Sequence, residues 1–173
     1  MILCQTPRLY LRPFTIEDLD FLYQLHSNPE VGKSTIDGVQ NLETVKKHLD
    51  NFIGNQEKNG FSQWAVFENK TNKFVGRAGL IKRALNKEIG EQVEIRFAFM
   101  PEFWGQGIAS EVTVALIQFA REKLKLQKLI AANGLTNEKS ARVLIKHGFK
   151  HLKNIIPEGY GTADAIRYWE LEL

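Results

Sequence analysis

Pro101–Ser110, PEFWGQGIAS, places Gly105 and Gly107 between an alternating apolar run, Val93–Phe99, and a helical pattern over about Ala109–Leu124. A strand, a glycine-bearing turn and a helix N-terminus in that order build an anion site. Glycine lets backbone approach a ligand closely and take positive φ. The first helical turn presents N–H groups with no intrahelical partner, aligned with the positive end of the macrodipole. Phosphate or pyrophosphate is the expected guest. A nucleoside-triphosphate loop needs G-x-x-x-x-G-K-[ST], and no lysine follows either glycine. A dinucleotide fingerprint G-x-G-x-x-G would begin at Gly105, but its third glycine is Ser110, and no second βαβ half follows in so short a chain.

The segment resembles the acyl-CoA site of the GNAT acetyltransferase superfamily, whose signature [Q/R]-x-x-G-x-[G/A] maps onto Trp104-Gly105-Gln106-Gly107-Ile108-Ala109. The last glycine and alanine match, and Trp104 stands where Gln or Arg is usual, as in the RimJ/RimL-like branch. Four further segments resemble that branch. Thr6-Pro7-Arg8-Leu9-Tyr10-Leu11-Arg12 is similar to its first strand, T-x-R-L-x-L-R, and Thr15-Ile16-Glu17-Asp18 to the entry of its first helix. Asn137-Glu138-Lys139-Ser140 followed by Gly148-Phe149 is similar to its N-x-x-S…G-F segment, and Phe74-Val75-Gly76 with Gly79-Leu80 to its central hairpin. The resemblance covers nearly the whole chain, in the family's order.

This resemblance implies transfer of an acetyl group from acetyl-CoA, as co-substrate, to a primary amine by direct attack, with no metal. Such a reaction needs a neutral amine, a polarised thioester carbonyl and a managed leaving thiolate, and it needs no enzyme nucleophile. The strand Val93–Phe99 is implied to splay from the parallel strand Lys128–Ala132, with pantetheine pairing to the backbone of Phe97, Ala98 and Phe99. Trp104, Gly105, Gln106, Gly107, Ile108, Ala109 and Ser110 are implied to hold the pyrophosphate. Glu94 is the candidate general base, acting through water. It lies two residues from Arg96 on one strand face, so a structural ion pair is the alternative, and a paired carboxylate is the weaker base. Glu91 and Glu102 read as solvated.

Asn137 is implied to contact the pantetheine arm, and Ser140 to donate a proton to the thiolate. A helix cap followed by a first-turn serine accounts for the same two residues. The position seven residues after Asn137, where many members carry Tyr, is Leu144. The acceptor is a peptide amino terminus or a small amine. An α-amine with pKa about 8 is roughly a tenth neutral at pH 7, whereas a lysine amine near 10.4 is about one part in 2,500. A site without the Tyr acid suits the easier nucleophile. Polyamines, amino acids and aminoglycoside-type drugs stay open as acceptors, as does a catalytically silent CoA-binding module.

Composition fits these expectations. A chain of 173 residues suits one domain over 1–173, burying roughly 70% of the unfolded surface. Apolar content of 43% and charged content of 25% are ordinary for a globular protein. No apolar run approaches the ~18–20 residues of a membrane span, and no secretory leader is visible. Cys4 is the single cysteine, which excludes an internal disulfide. A cytoplasmic monomer or homodimer is expected. The net charge of +3 is too small to argue for nucleic acid.

Periodicity supplies the positioning elements. Arg8–Arg12 alternates as a strand. Thr15 begins a helix with Phe21, Leu22 and Leu25 inward. A second helix over about 42–54 turns Leu42, Val45, Leu49 and Phe52 inward, and Pro29–Gln40 between the two reads as loop. Trp64–Phe67 and Lys73–Ile81 form a hairpin. After Val93–Phe99 the long helix buries Val112, Leu116, Phe119 and Ala120. Lys128–Ala132 is a strand, Asn137–His147 a helix, and Phe149–Ile155 and Ile166–Leu173 the last strands. The four histidines show no ligand spacing and read mostly as surface residues. The order βααβββαβαββ is an α/β (α+β) sandwich, and the resemblance implies a mixed central sheet splayed between its fourth and fifth strands, helices on both faces.

Overall fold

The computed structural model describes residues 1–84, 90–156 and 165–173. The strands are β1 (Cys4–Gln5), β2 (Leu9–Pro13), β3 (Gln63–Glu68), β4 (Phe74–Ala84), β5 (Glu91–Phe99), β6 (Lys128–Gly134), β7 (Lys150–Ile155) and β8 (Ile166–Glu172). They form one sheet in the order β1-β2-β3-β4-β5-β6-β8-β7. The helices are α1 (Leu19–Ser27), α2 (Pro29–Ser34), α3 (Leu42–Asn59), α4 (Ile108–Glu122) and α5 (Glu138–Lys146), with short 3-10 turns at Ile16–Asp18 and Pro101–Phe103.

Period-two alternation sorts the sheet into two apolar faces. Leu9, Leu11, Trp64, Val66 and Ile95 point to one side, where Val112, Leu116 and Ala120 of α4 and Ala141 and Leu144 of α5 cover them. Ala65, Phe67 and Ala98 point to the other, under Leu22 and Leu25 of α1 and Val45 and Leu49 of α3. The sandwich read from the sequence is the observed fold, with helices on both faces.

The parallel pair β5–β6 explains the opening in the sheet. The two strands register at Glu94 with Ile130 and at Ile95 with Ala131. Beyond that point each follows its antiparallel partner. β5 stays with β4 as far as Phe99, paired with Gly76, and β6 stays with β8 as far as Gly134, paired with Ile166. The split falls between the fourth and fifth strands expected from the sequence, which are β5 and β6 here because the short β1 precedes them.

Several local expectations need correction. Pro29–Gln40 is not all loop: it contains α2, because the Asn28 side chain accepts from the N–H groups of Glu30 and Val31, and Pro29 occupies the first helical turn. Phe21 is 39% exposed, not inward, although its ring stacks on Phe74 at 5.2 Å. Leu42, at the start of α3, is also exposed. Asp18 serves the helix entry by accepting from the Thr15 N–H at 2.8 Å while Arg12 grips both its oxygens at 2.7 and 2.8 Å. No helix among the described residues is long and apolar enough to cross a membrane.

Candidate active site

The splay opens into a cavity of about 430 Å³. Of the residues expected at a cofactor site, Phe97, Ala98, Phe99, Trp104, Gly105, Gly107, Ile108, Ala109, Ser110, Asn137 and Ser140 all line it. Gln106 does not: its side chain donates to the Glu102 carbonyl at 2.7 Å.

The glycine turn is held from outside. Arg8 Nη1 donates to the Gln106 carbonyl at 2.9 Å, and its Nε donates to Glu111 Oε2 at 2.6 Å. Thr6 Oγ1 donates to Glu111 Oε1 at 2.5 Å. The polar residues of the T-x-R segment therefore clamp the first turn of α4 to the sheet edge. Because a trans peptide points its C=O and N–H in opposite directions, this grip turns the Gly107 N–H away from Arg8. Gly105 and Gly107 have φ of 74° and 77°, the left-handed region in which a side chain is strained. Asn28, Asn41 and Asn137 cap α2, α3 and α5 with their side chains, whereas α4 has Gly107 at its N-cap and no side-chain cap. No side chain caps its first N–H groups, which have no intrahelical partner either.

Along the slot, the Phe99 carbonyl already accepts from Trp104 Nε1 at 2.7 Å, so the indole braces the strand end against the turn. Asn137 has both polar ends engaged: its Oδ1 accepts from the Ser140 N–H at 3.0 Å, and its Nδ2 donates to the Ser34 carbonyl at 2.6 Å. This joins the start of α5 to the end of α2 across the cavity. The Ser140 side chain lines the cavity half-buried. Leu144 lines it too, in the place of the absent Tyr.

The end of the cavity at Arg77 and Arg96 is built from charge. Glu94 is fully buried and does not open onto the cavity. Arg83 Nη1 donates to its Oε2 at 2.9 Å, while Arg96 Nε stands 3.8 Å from its Oε1, an atom left without a hydrogen bond. Arg96 pairs instead with Asp37, Nη2 to Oδ2, at 2.9 Å. Burial pushes the Asp37 carboxyl up, but Arg96 and Arg77 outweigh it and hold it below the usual range. Burial also pushes the Tyr168 phenol up, so it keeps its proton in the field of Glu94. Burial raises the Cys4 thiol to about 11, which leaves it unsuited to nucleophilic attack.

A model of the Acetyltransferase (GNAT) domain family matches residues 8–150, most of the chain. The chain belongs to the GNAT acetyltransferase family. A Bacillus subtilis relative named "Uncharacterized N-acetyltransferase YoaA" is 30% identical over 150 residues, covering 84% of this chain and 81% of the relative. The GNAT fold is shared with a Salmonella typhimurium acetyltransferase described as modifying the N-terminal serine of ribosomal protein L7/L12. That structure has a TM-score of 0.81 and 19% identity, covering 100% of this chain and 99% of that one. It is shared as well with a Vibrio cholerae spermidine N-acetyltransferase in complex with CoA and spermine, at TM-score 0.76 and 17% identity over 95% of each chain. The protein is an N-acetyltransferase.

Sequence reasoning about this acetyltransferase missed Asp37, Arg77, Arg83 and Tyr168, and did not single out His26 from the other histidines. His26 is the buried exception among histidines read mostly as surface residues: it is 2% exposed, and its Nε2 accepts from Arg77 Nε at 2.9 Å inside the helix-covered face. The available signal was Arg77 itself, an arginine at an inward step within the apolar and glycine-rich stretch Phe74–Ile81. Burial, helped by the Arg77 charge, pushes the His26 imidazole down to about 2. The unfolded chain takes up this proton near pH 6.5 and the folded chain does not until about 2. Stability is therefore full above pH 6.5 and falls as pH drops below it. Between pH 7 and 5 His26 should cost about 2 kcal/mol of unfolding free energy. His26→Gln keeps an acceptor for Arg77 and should flatten the denaturant-derived stability over this range, and an unchanged slope would remove His26 as its source.

Proposed function

We propose that this N-acetyltransferase moves the acetyl group of acetyl-CoA onto a protein or peptide amino terminus, as a RimJ/RimL-like member of its family. One observation carries the reading. A single cavity runs from the uncapped start of α4, past the β6-facing edge of β5 beyond Ile95, to Arg96, which contacts the buried Glu94. That run supplies an anion site, an open strand edge and an arginine backed by a buried carboxylate in sequence, which is the order of pyrophosphate, pantetheine and attacking amine.

In this reading backbone N–H groups of Trp104–Ser110 hold the pyrophosphate, with Gln106 fixing the turn from behind. Phe97, Ala98 and Phe99 flank the pantetheine, and Asn137 closes the opposite side through its bond to Ser34. The amine nitrogen attacks the thioester carbon and the C–S bond breaks. The amine's proton passes through water to Glu94, whose Oε1 has no hydrogen bond of its own, and the thiolate takes a proton through the Ser140 hydroxyl, which regains one from water in the same step while Glu94 returns its proton to solvent. Residues 1–173 act as one acetyltransferase domain, monomeric or dimeric, in the cytoplasm, with acetyl-CoA as co-substrate.

Thiol release from acetyl-CoA tests the acceptor class. Peptides with a free amino terminus should be turned over faster than the same peptides blocked there but carrying lysine, following the neutral fractions of the two amines. Equal rates on both, or activity confined to polyamines or drugs, would sink the amino-terminal acceptor and leave the acetyl transfer intact.

A further inference from the structure

The acceptor end of the cavity holds a charge arrangement that acetyl transfer alone does not require. Arg77 and Arg96 both line it, beside Ser34, Thr35 and Ile36. The register places them on one face of the sheet: Arg96 pairs with Gly79 on β4, and Arg77 with Ala98 on β5. Arg96 is neutralised by Asp37, and Glu94 by Arg83.

Arg77 is different. It is 3% exposed, and its Nε and Nη1 donate to neutral groups, His26 Nε2 at 2.9 Å and Gln63 Oε1 at 2.7 Å. Among the described residues no carboxylate forms an ion pair with it. Burial pushes the guanidinium down only to about 9, so it carries its charge at neutral pH. Among the described residues, three guanidiniums, those of Arg77, Arg83 and Arg96, thus meet two carboxylates, those of Asp37 and Glu94, in and behind this end of the cavity. Asp37 and Glu94 act on Arg77 only from beyond ion-pair distance. A buried cation without a direct ion-pair partner is costly, and a planar fork binds a carboxylate best.

We propose that the acceptor carries a carboxylate close to its amine and that Arg77 and Arg96 recognise it. Two sources share that chemistry, an amino-terminal segment with Asp or Glu at its first or second residue and a free α-amino acid. Polycationic acceptors are disfavoured by the same charges, whatever the reach of the cavity. The inference rests on the amine-acceptor reading above, and it names which amines the site selects.

The test uses the full chain with acetyl-CoA and three peptides, Ser-Asp-Gly-Gly, Ser-Ala-Gly-Gly and Ser-Lys-Gly-Gly, amidated at the C-terminus, together with free serine, free aspartate and spermidine. Thiol release gives kcat/KM, and calorimetry with CoA present gives binding where turnover is slow. The aspartyl peptide should exceed the alanyl peptide by about tenfold in kcat/KM, with the lysyl peptide below both. Arg96→Gln, at a half-buried position, should cut that preference to about twofold. Arg77→Lys, which keeps the charge and loses the fork, should reduce it by a smaller factor. Free amino acids taken in preference to every peptide would support the carboxylate reading while removing the amino-terminal one. Peptides acetylated and bound without regard to charge would overturn the carboxylate reading and leave the amino-terminal one standing. Spermidine turned over as fast as the aspartyl peptide, or a preference untouched by Arg96→Gln, would also overturn it.

Discussion

Glu94→Gln should lower kcat by roughly 10²-fold while leaving acetyl-CoA affinity nearly unchanged. The substitution keeps the shape of a fully buried side chain and removes its basicity. It also keeps an oxygen for Arg83 Nη1, which now bonds Oε2 at 2.9 Å. If Glu94 accepts the amine's proton, the deficit must shrink as pH rises and the acceptor deprotonates unaided. For an α-amine that recovery should be well advanced by about pH 9. A purely structural Glu94 makes a different prediction. Removing one partner of a buried ion pair costs about 3–5 kcal/mol, because the other charge is left uncompensated. Glu94→Gln and Arg83→Gln would then both destabilise, Arg83→Gln more because it strands the fully buried carboxylate, and the loss of rate would be the same at every pH. Measuring kcat across pH alongside the melting temperature of both variants separates the two roles. A pH-independent deficit shared by Arg83→Gln would remove Glu94 as the base.

That ambiguity traces to what a linear sequence can carry. Glu94 and Arg96 are two residues apart on one strand, so their pairing was visible as a possibility. The partners that settle the geometry come from elsewhere. Arg83 lies eleven residues upstream on the neighbouring strand and takes the near oxygen, and Asp37 lies fifty-nine residues away and draws Arg96 off at 2.9 Å. Contacts of this kind depend on strand register and on where a connecting segment docks, and neither leaves a periodic trace. The same limit explains His26. Its place on α1 gave no sign that Arg77 of β4 would seat against it.

The frame itself was legible because local signals agreed with one another. Alternation in Val93–Phe99, the glycines that follow and the apolar spacing of α4 all specify one strand–turn–helix unit, and its boundaries hold within a residue or two. The segment carrying α2 was missed because its signal is a cap, not a period: Asn28 followed by Pro29 starts a helix too short to show amphipathic spacing. The T-x-R segment shows the reverse case. Its resemblance to a family strand was evident, but its physical reason, the clamp from Thr6 and Arg8 onto Glu111 and Gln106, required the fold.

Gly107→Val should weaken acetyl-CoA binding at least tenfold, ~1.4 kcal/mol or more. Two effects act at this position. Its φ of 77° is one that valine adopts only with strain, of order 1–3 kcal/mol. The new side chain would also stand on backbone that the pyrophosphate must approach. Steric conflict within the protein is slight, since a Cβ here would meet only Arg8 Nη2, at 3.7 Å. Helix α4 should survive the change, because Glu111 stays gripped by Thr6 and Arg8 while Val112 and Leu116 stay buried in the core. Gly107→Ala carries strain from the same backbone conformation with less bulk, so it should lose less affinity than valine, and the difference between them isolates the crowding. Calorimetry well below the melting temperature of each variant reads this directly. Affinity unchanged in Gly107→Val would move the pyrophosphate away from this turn. Equal losses in both variants would assign the effect to backbone conformation and not to contact with the ligand.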